Sequence, residues 1–409
     1  MKARWIAGAA LLFCGPAQTG QQARSARKLP PMETLAHDLS AFGLDLYHQL
    51  RSSDGNLFLS PYGISAALAM ASAGARGTTQ AQMAAALRYS LLQGALHPAF
   101  AELGSALAKL QESGHVKLSA ANSVWPQRGD PLLGDYLSLI KRHYGVTVTP
   151  LDYIGAPEAA RATINTSVEK STDRKIKDLV QPGVLDALTR LVIVNAIYFR
   201  AEWASKFDPS YTREAPFFIS PASSVPVPLM KQEEEFKYGE QPSLQILELP
   251  YLGRTLSMLI LLPRQKDGLK GLERSLSMEN LAHWRSALRG TTVEVFVPRF
   301  TMTCAFRLDQ ALSALGMADA FSASKADFSG MDGRRGWLYL GAVLHQAFVR
   351  VNEEGTEAAA ATAVAAPRAA PGQPPVFRAD HPFLFAISEA RSETLLFLGR
   401  VTDPTKPGM

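Results

Sequence analysis

The apolar pattern changes character about halfway along the chain. From Glu33 onward, Leu35, Leu39, Phe42 and Leu46 recur at helical spacing with Tyr47 beside them, which predicts an amphipathic helix. After Pro61, ISAALAMASAGA (64–75) is small and apolar all round, as in a helix buried on every side. Residues 80–112 read as further helices, 158–180 as one amphipathic helix and 185–190 as a short one. The later pattern is of strands. LVIVNAIYFRAEW (191–203) is a long branched and aromatic run that predicts a central strand. LQILELPY, TLSMLILLP and TVEVFVPRF predict three more, with turn residues between them. LYLGAVLHQAFVRVN (338–352) predicts another long strand, and PFLFAISEARSETLLFLGRV (382–401) a closing hairpin. Helices early and strands late, without regular βα alternation, predict an α+β fold with mixed or antiparallel sheets.

One stretch follows neither period. VNEEGTEAAAATAVAAPRAAPGQPP (351–375) runs from a strand-like segment into alanine, threonine and then proline. It has no apolar stripe to pack a helix and lacks the side chains that hold a strand in a sheet. An idle linker would separate two domains, but this tract continues a strand directly and lies close to the C-terminus. At period two, Thr356, Ala358, Ala360 and Thr362 share one face and are all small; Glu357, Ala359, Ala361 and Ala363 take the other.

The 409 residues are 47% hydrophobic and 19% charged, the balance of a globular protein with ample material for a large core. A net charge of +5 in short scattered runs, such as Arg174-Lys175-Ile176-Lys177, argues for solvated faces and against a nucleic-acid partner. The N-terminus changes the picture more. A basic start, an apolar run from Trp5 to Cys14 and small residues after it have the layout of a secretory signal peptide, with cleavage expected after Ala17. The run is too short to anchor the chain across a bilayer. Cys14 raises a lipid-anchored alternative, against which Phe13 counts, being bulky where such processing wants a small residue. Residues 18–32 read as a flexible lead-in, and 33–406 as the folded domain. A secreted or periplasmic location follows, with Cys304 the one cysteine left after cleavage, so the core and not disulfides must hold the fold.

Catalytic signatures are weak. Ser322-Ala323-Ser324-Lys325 fits S-x-x-K, but the S-D-N and K-T-G elements that accompany it in penicillin-recognising enzymes are missing. The chain contains no G-x-S-x-G, H-E-x-x-H, P-loop or G-x-G-x-x-G, and its histidines are spread singly, without metal-ligand spacing. Asn165-Thr166-Ser167 is a formal glycosylation sequon inside a predicted helix. An exported hydrolase using Ser322 is therefore a minor alternative, and no cofactor is expected.

Several segments together resemble the serpin family. LHQAFVRVNEEGTEAAAAT (344–362) resembles its hinge almost residue for residue, FRADHPFLFAI (377–387) the segment after its reactive loop, and LLFLGRVTDP (395–404) its C-terminal end. NLFLSPYGISAALAMASAGARGTT (56–79) resembles the family's buried second helix, VNAIYFRAEWASKF (194–207) the strand carrying its breach tryptophan, and LELPY (247–251) and ADFSGM (326–331) are further matches. They occur in the family's order. The resemblance implies one domain with three β-sheets and about nine helices.

It also implies a mechanism. An exposed loop, about residues 353–376, is bait for a serine or cysteine protease. The protease cuts, stays joined as a 1:1 covalent complex, and is carried away as the cut loop inserts into the central sheet. The protein would act as a monomer and a suicide substrate. A non-inhibitory serpin used for binding or as a chaperone is the alternative, and bulky or charged inward hinge residues, its mark, do not occur here. The resemblance assigns Glu353, Gly355, Thr356, Glu357, Ala358, Ala359, Ala360, Ala361 and Thr362 to the hinge, and Ser60, Asn195 and His345 to a buried polar gate. It places Trp203 where the loop first enters and pairs Glu353 with Arg299 there, read as an exposed ion pair contributing ~0–1 kcal/mol. Family spacing from Gly355 puts the cut between Ala369 and Ala370, which suits an elastase-like protease. A cut after Arg368, ahead of Ala369, would suit a trypsin-like one. Pro367, Pro371, Pro374 and Pro375 would stiffen the flanks. One departure stands out: the family's usual hydroxyl residue is replaced by Gly63, which implies a looser gate.

Overall fold

A computed structural model describes Met1 and residues 29–129, 131–356 and 373–408. Among the described residues the chain forms ten α-helices and fourteen strands. Helix α1 (Pro31–Leu50) starts two residues before the apolar periodicity, on a proline at its first turn, and buries Leu35, Leu39, Phe42, Leu46 and Tyr47. Helix α2 (Pro61–Gly74) is capped by Ser60, whose hydroxyl accepts the Gly63 amide at 3.0 Å, and almost all of it is buried. Helices α3 (Gly77–Ala86) and α4 (Gln93–Gln111) follow, then α5 (Gly134–Tyr144).

Helix α6 spans Pro157–Ser171 and not the full 158–180 that periodicity predicts. Thr172 ends it, and Asp173, Arg174 and Asp178 all adopt positive φ, which no helix accommodates. The expected helix at 185–190 is a turn: the Asp186 side chain accepts the Leu188 amide at 2.9 Å and the Thr189 hydroxyl at 3.1 Å, competing with helical bonds. Helices α7 (Leu269–Ser275), α8 (Met278–Ser286), α9 (Asp309–Leu312) and α10 (Ser329–Asp332) are short.

The strands build an α+β fold with three sheets. The central one has the order β2-β3-β11-β10-β9, with β2 Val116–Pro126, β3 Leu191–Glu202, β9 Phe300–Arg307, β10 Leu340–Asn352 and β11 Gly355–Thr356. The other two share β5 (Ser223–Glu240) and so form one nine-stranded network. One contains β1 (Leu57–Leu59), β14 (Leu395–Val401), β13 (Phe383–Glu389), β7 (Leu256–Pro263) and β6 (Leu244–Pro250); the other β4 (Arg213–Ser220), β8 (Arg289–Pro298) and β12 (Val376–Arg378).

The central sheet is covered on both faces, which is why β3 and β10 read as unbroken apolar runs. Odd-numbered residues of these strands, such as Ile197 and Val349, enter the main core behind the sheet with α1 and α2. Even-numbered ones, such as Tyr198 and Phe348, enter a smaller core in front, closed by Ile164 and Val168 of α6 and by Ile176.

Candidate functional site

The site begins where β10 runs out. Asn352 turns the chain, its side-chain oxygen accepting the amides of Glu354 at 3.1 Å and Gly355 at 3.3 Å. The next two residues, Gly355 and Thr356, come back as β11, antiparallel to β10 on one side and to β3 on the other. Below this point β3 and β10 pair directly, in parallel, from Leu191/Leu340 up to Tyr198/Phe348. The hinge thus already occupies the top of the gap between them. Only glycine fits at 355: its φ is +152°, and a Cβ there would stand 2.1 Å from the Ala201 carbonyl oxygen. Thr356 is fully buried, and its hydroxyl lies 2.8 Å from the Tyr251 phenol.

Trp203 stacks on Tyr251, ring centroids 4.6 Å apart, and its indole N–H donates to the Asn352 carbonyl at 3.0 Å. Its backbone N–H donates to Glu354 O at 2.9 Å, and that of Phe207 to Glu353 O at 3.0 Å. The Glu353–Arg299 pair is not the exposed pair expected from sequence. The Glu353 side chain is only 5% exposed, held by Arg299 Nε at 2.7 and 2.8 Å and by the Thr212 hydroxyl at 2.5 Å. Burial works to raise the Glu353 carboxyl, but the hydrogen bonds from Arg299 and Thr212 outweigh it and hold it below the usual carboxylate range. Beside it, Lys206 bridges Glu202 at 3.0 Å and Glu354 at 2.8 Å, tying β3 to the hinge turn.

Lower in the sheet, Ser60, Asn195 and His345 come together behind β3 and β10. The Ser60 backbone N–H donates to His345 Nε2 at 3.2 Å, so the imidazole proton sits on Nδ1 and is donated to Asn195 Oδ1 at 2.6 Å. The Asn195 amide donates in turn to Asn122 Oδ1 on β2. The chain of bonds therefore crosses the β3–β10 seam and ties three strands to the start of α2. Burial pushes the His345 imidazole down to about 3, leaving it neutral. Gly63 is not an empty place in this set. A Cβ there would lie 2.6 Å from Asn195 Nδ2 and 2.8 Å from its Oδ1, so the asparagine side chain fills the room a hydroxyl residue would take.

Glu357, Ala358, Ala359, Ala360, Ala361 and Thr362, and both expected cut positions at Arg368, Ala369 and Ala370, lie outside the described residues. Beyond them, Pro375 accepts the Glu294 amide at 3.0 Å and β12 pairs with β8 in a different sheet. Ser322 faces Ser324 at 3.3 Å, while Lys325 lies near Asp319 at 3.9 Å; serine and lysine do not form a catalytic pair. Asn165 is engaged on both sides with Val180, at 3.0 and 2.8 Å, and is not presented as a glycan acceptor. Among the described residues no cluster of His, Cys, Asp or Glu could hold a metal ion, and no helix is long and apolar enough to cross a membrane.

Sequence reasoning missed Tyr251, Thr212, Lys206 and Asn122. Tyr251 ends the quoted LELPY, whereas Asn122 lies in β2, which has no clean alternation to mark it.

Comparison with known proteins agrees with this geometry. The family model described as Serpin (serine protease inhibitor) matches residues 37–404. Leukocyte elastase inhibitor A of Rattus norvegicus is 40% identical over 383 residues, covering 91% of this chain and all of the relative. Leukocyte elastase inhibitor of Homo sapiens is 39% identical with the same coverage. Among solved structures, uncleaved ovalbumin superposes with a TM-score of 0.82 at 30% identity, covering 90% of this chain and all of ovalbumin. Serpin48 of the insect Tenebrio molitor superposes with a TM-score of 0.81 at 30% identity, covering 91% of this chain and 98% of that one. The chain belongs to the serpin family.

Proposed function

We propose that the protein is a suicide inhibitor of an elastase-like serine protease, trapped as a 1:1 covalent complex. It is not itself a catalyst, in keeping with a family of inhibitors and relatives named as inhibitors of leukocyte elastase. The observation that carries the mechanism is β11, two hinge residues paired on both sides in the gap between β3 and β10. Continued in the same register, Ala358 falls beside Phe199 and Val349, Ala360 beside Ile197 and Ala347, all on the buried face with Thr356. Space there is already filled, so only small side chains pass. Thr362 then arrives between Asn195 and His345, where its hydroxyl can take up the groups their bond releases.

In the reaction the protease serine oxygen bonds to the carbonyl carbon of Ala369, the Ala369–Ala370 amide breaks, and the serine proton passes to the Ala370 nitrogen. The arm ending at Ala369 carries the acyl-protease as it inserts. Alanine at this position suits a shallow specificity pocket; a cut after Arg368 is the second reading, and a trypsin-like protease is its partner. The uniformly small inward hinge positions favour this function over a non-inhibitory binding role. We further propose export through residues 1–17, with the N-terminus of the exported protein beginning at Gln18. A lipid on Cys14 is the competing outcome.

Incubation with pancreatic elastase and with trypsin, followed by denaturing gels, tests the mechanism. Expected is a complex with elastase that survives boiling, together with a released peptide beginning at Ala370. Turnover to cleaved protein without any stable complex would overturn it. Mass spectrometry of the exported protein's N-terminus decides the export proposal.

A further inference from the structure

The loop that follows α6 lies across the front of the seam the reaction must open. The turn at Thr172–Ile176 is fixed: Ile176 is fully buried, its amide is held by the Thr172 hydroxyl at 3.3 Å, and the Lys175 amide donates to Thr172 O at 2.9 Å. This sets Lys175 Nζ 5.8 Å from the centroid of the Tyr198 ring and 5.9 Å from that of Phe348. The two rings belong to different strands, β3 and β10, and are register partners. Their centroids are 5.9 Å apart. They are also the last direct β3–β10 pair, separated from the positions that β11 pairs with only by Phe199 and Arg200 on β3 and by Val349 and Arg350 on β10. One cation therefore sits over two aromatic faces that must part before anything else in the sheet can.

The level just beneath is less well satisfied. Gln346, opposite Ala196, points its side chain into the same front core, and its Oε1 is buried without a hydrogen-bond partner among the described residues. A buried acceptor without a donor favours opening. An ammonium shared between two ring faces opposes it, since separating the rings leaves the charge over one face only.

We infer that Lys175 is a positioning residue for the inhibitory reaction: a latch across the Tyr198–Phe348 seam that sets how readily β3 and β10 separate. The latch is a property of the resting sheet. Its consequence for inhibition rests on the insertion mechanism proposed above. Loss of a cation–π contact of ordinary size predicts opening about five- to thirtyfold more frequent.

Two measurements on the intact, full-length protein test this. The first is amide hydrogen exchange of Ala196–Phe199 and Phe348 in Lys175→Met, which keeps the aliphatic stem and removes the charge. The second is the rate at which a synthetic peptide with the sequence of residues 356–366 is taken up, read as a mobility shift on native gels. Exchange and uptake about five- to thirtyfold faster in Lys175→Met are expected. Lys175→Arg should restore slow rates because guanidinium also stacks on rings, and Lys177→Met, an exposed neighbour paired with Glu169, should behave as wild type. Exchange unchanged in Lys175→Met would overturn the latch, as would equal acceleration by Lys177→Met. If no variant takes up peptide, the insertion mechanism fails, and the exchange rates alone decide for or against the latch.

Discussion

Thr356 occupies a place sized for a small side chain whose one polar atom is met by the Tyr251 hydroxyl. A charged side chain at this position would be buried without a partner, at a cost of several kcal/mol. Thr356→Arg is therefore expected to keep cleavage by elastase and lose the trapped complex, as read by the ratio of cleaved to complexed protein on denaturing gels. Gly63 makes the opposite point about room. Adding the hydroxymethyl group of Gly63→Ser would force Asn195 out of its bonds to His345 and Asn122, and overpacking of this kind costs about 1–3 kcal/mol. The expected result is a lower melting temperature for the uncut protein in scans at one fixed rate. The glycine that implies a looser gate thus has its place filled by the Asn195 side chain. That compensation was not legible in the sequence, because Asn195 and Gly63 meet only through the packing of α2 behind β3.

Among the elements, the pH response comes from two buried histidines, His345 on β10 and His97 on α4. His345 is held neutral, its folded value near 3 lying far below the ordinary 6.5, and burial pushes His97 down to about 4. Below pH 6.5 the unfolded chain binds protons that the folded one refuses, so stability falls as pH drops, by about 1.4 kcal/mol per pH unit for His345 alone until its folded value is reached. Above pH 7 neither histidine contributes a slope. Glu353 adds its own loss only at lower pH, since its carboxyl is held below the usual range. Urea denaturation between pH 7.5 and 5 should show this decline, and His345→Gln should flatten much of it. Elements buried on both faces, β3 and β10, were readable as runs of branched residues. Strand β2 and the β4–β5 hairpin were not, because β2 has no clean alternation and the hairpin is half solvated and interrupted by prolines. The apolar spacing that predicts a longer α6 is satisfied by Ile176 and Val180, but in a fixed turn and an irregular segment packed against the same small core.

At the scale of the whole molecule, the proposed mechanism requires the three sheets, the hinge and the set at Ser60, Asn195 and His345 to act as one device whose resting arrangement is held kinetically. Cutting the loop with a protease that does not stay bound, then melting the product, should give a transition well above that of the intact protein; equal transitions would remove the basis of the mechanism. The family and its order of segments were legible in sequence because hinge, gate and C-terminal hairpin each carry distinctive residues. The buried state of Glu353 was not, since Arg299 and Thr212 reach it from distant parts of the chain. Within the central sheet, every strand neighbour runs in opposite directions except where β3 meets β10. Parallel neighbours bond less well per residue than antiparallel ones. In the proposed insertion a third strand of reversed direction replaces that single weaker joint with two stronger ones. On the mechanism proposed above each copy acts once, and the quantity of protease a given supply can silence is set by the number of molecules present.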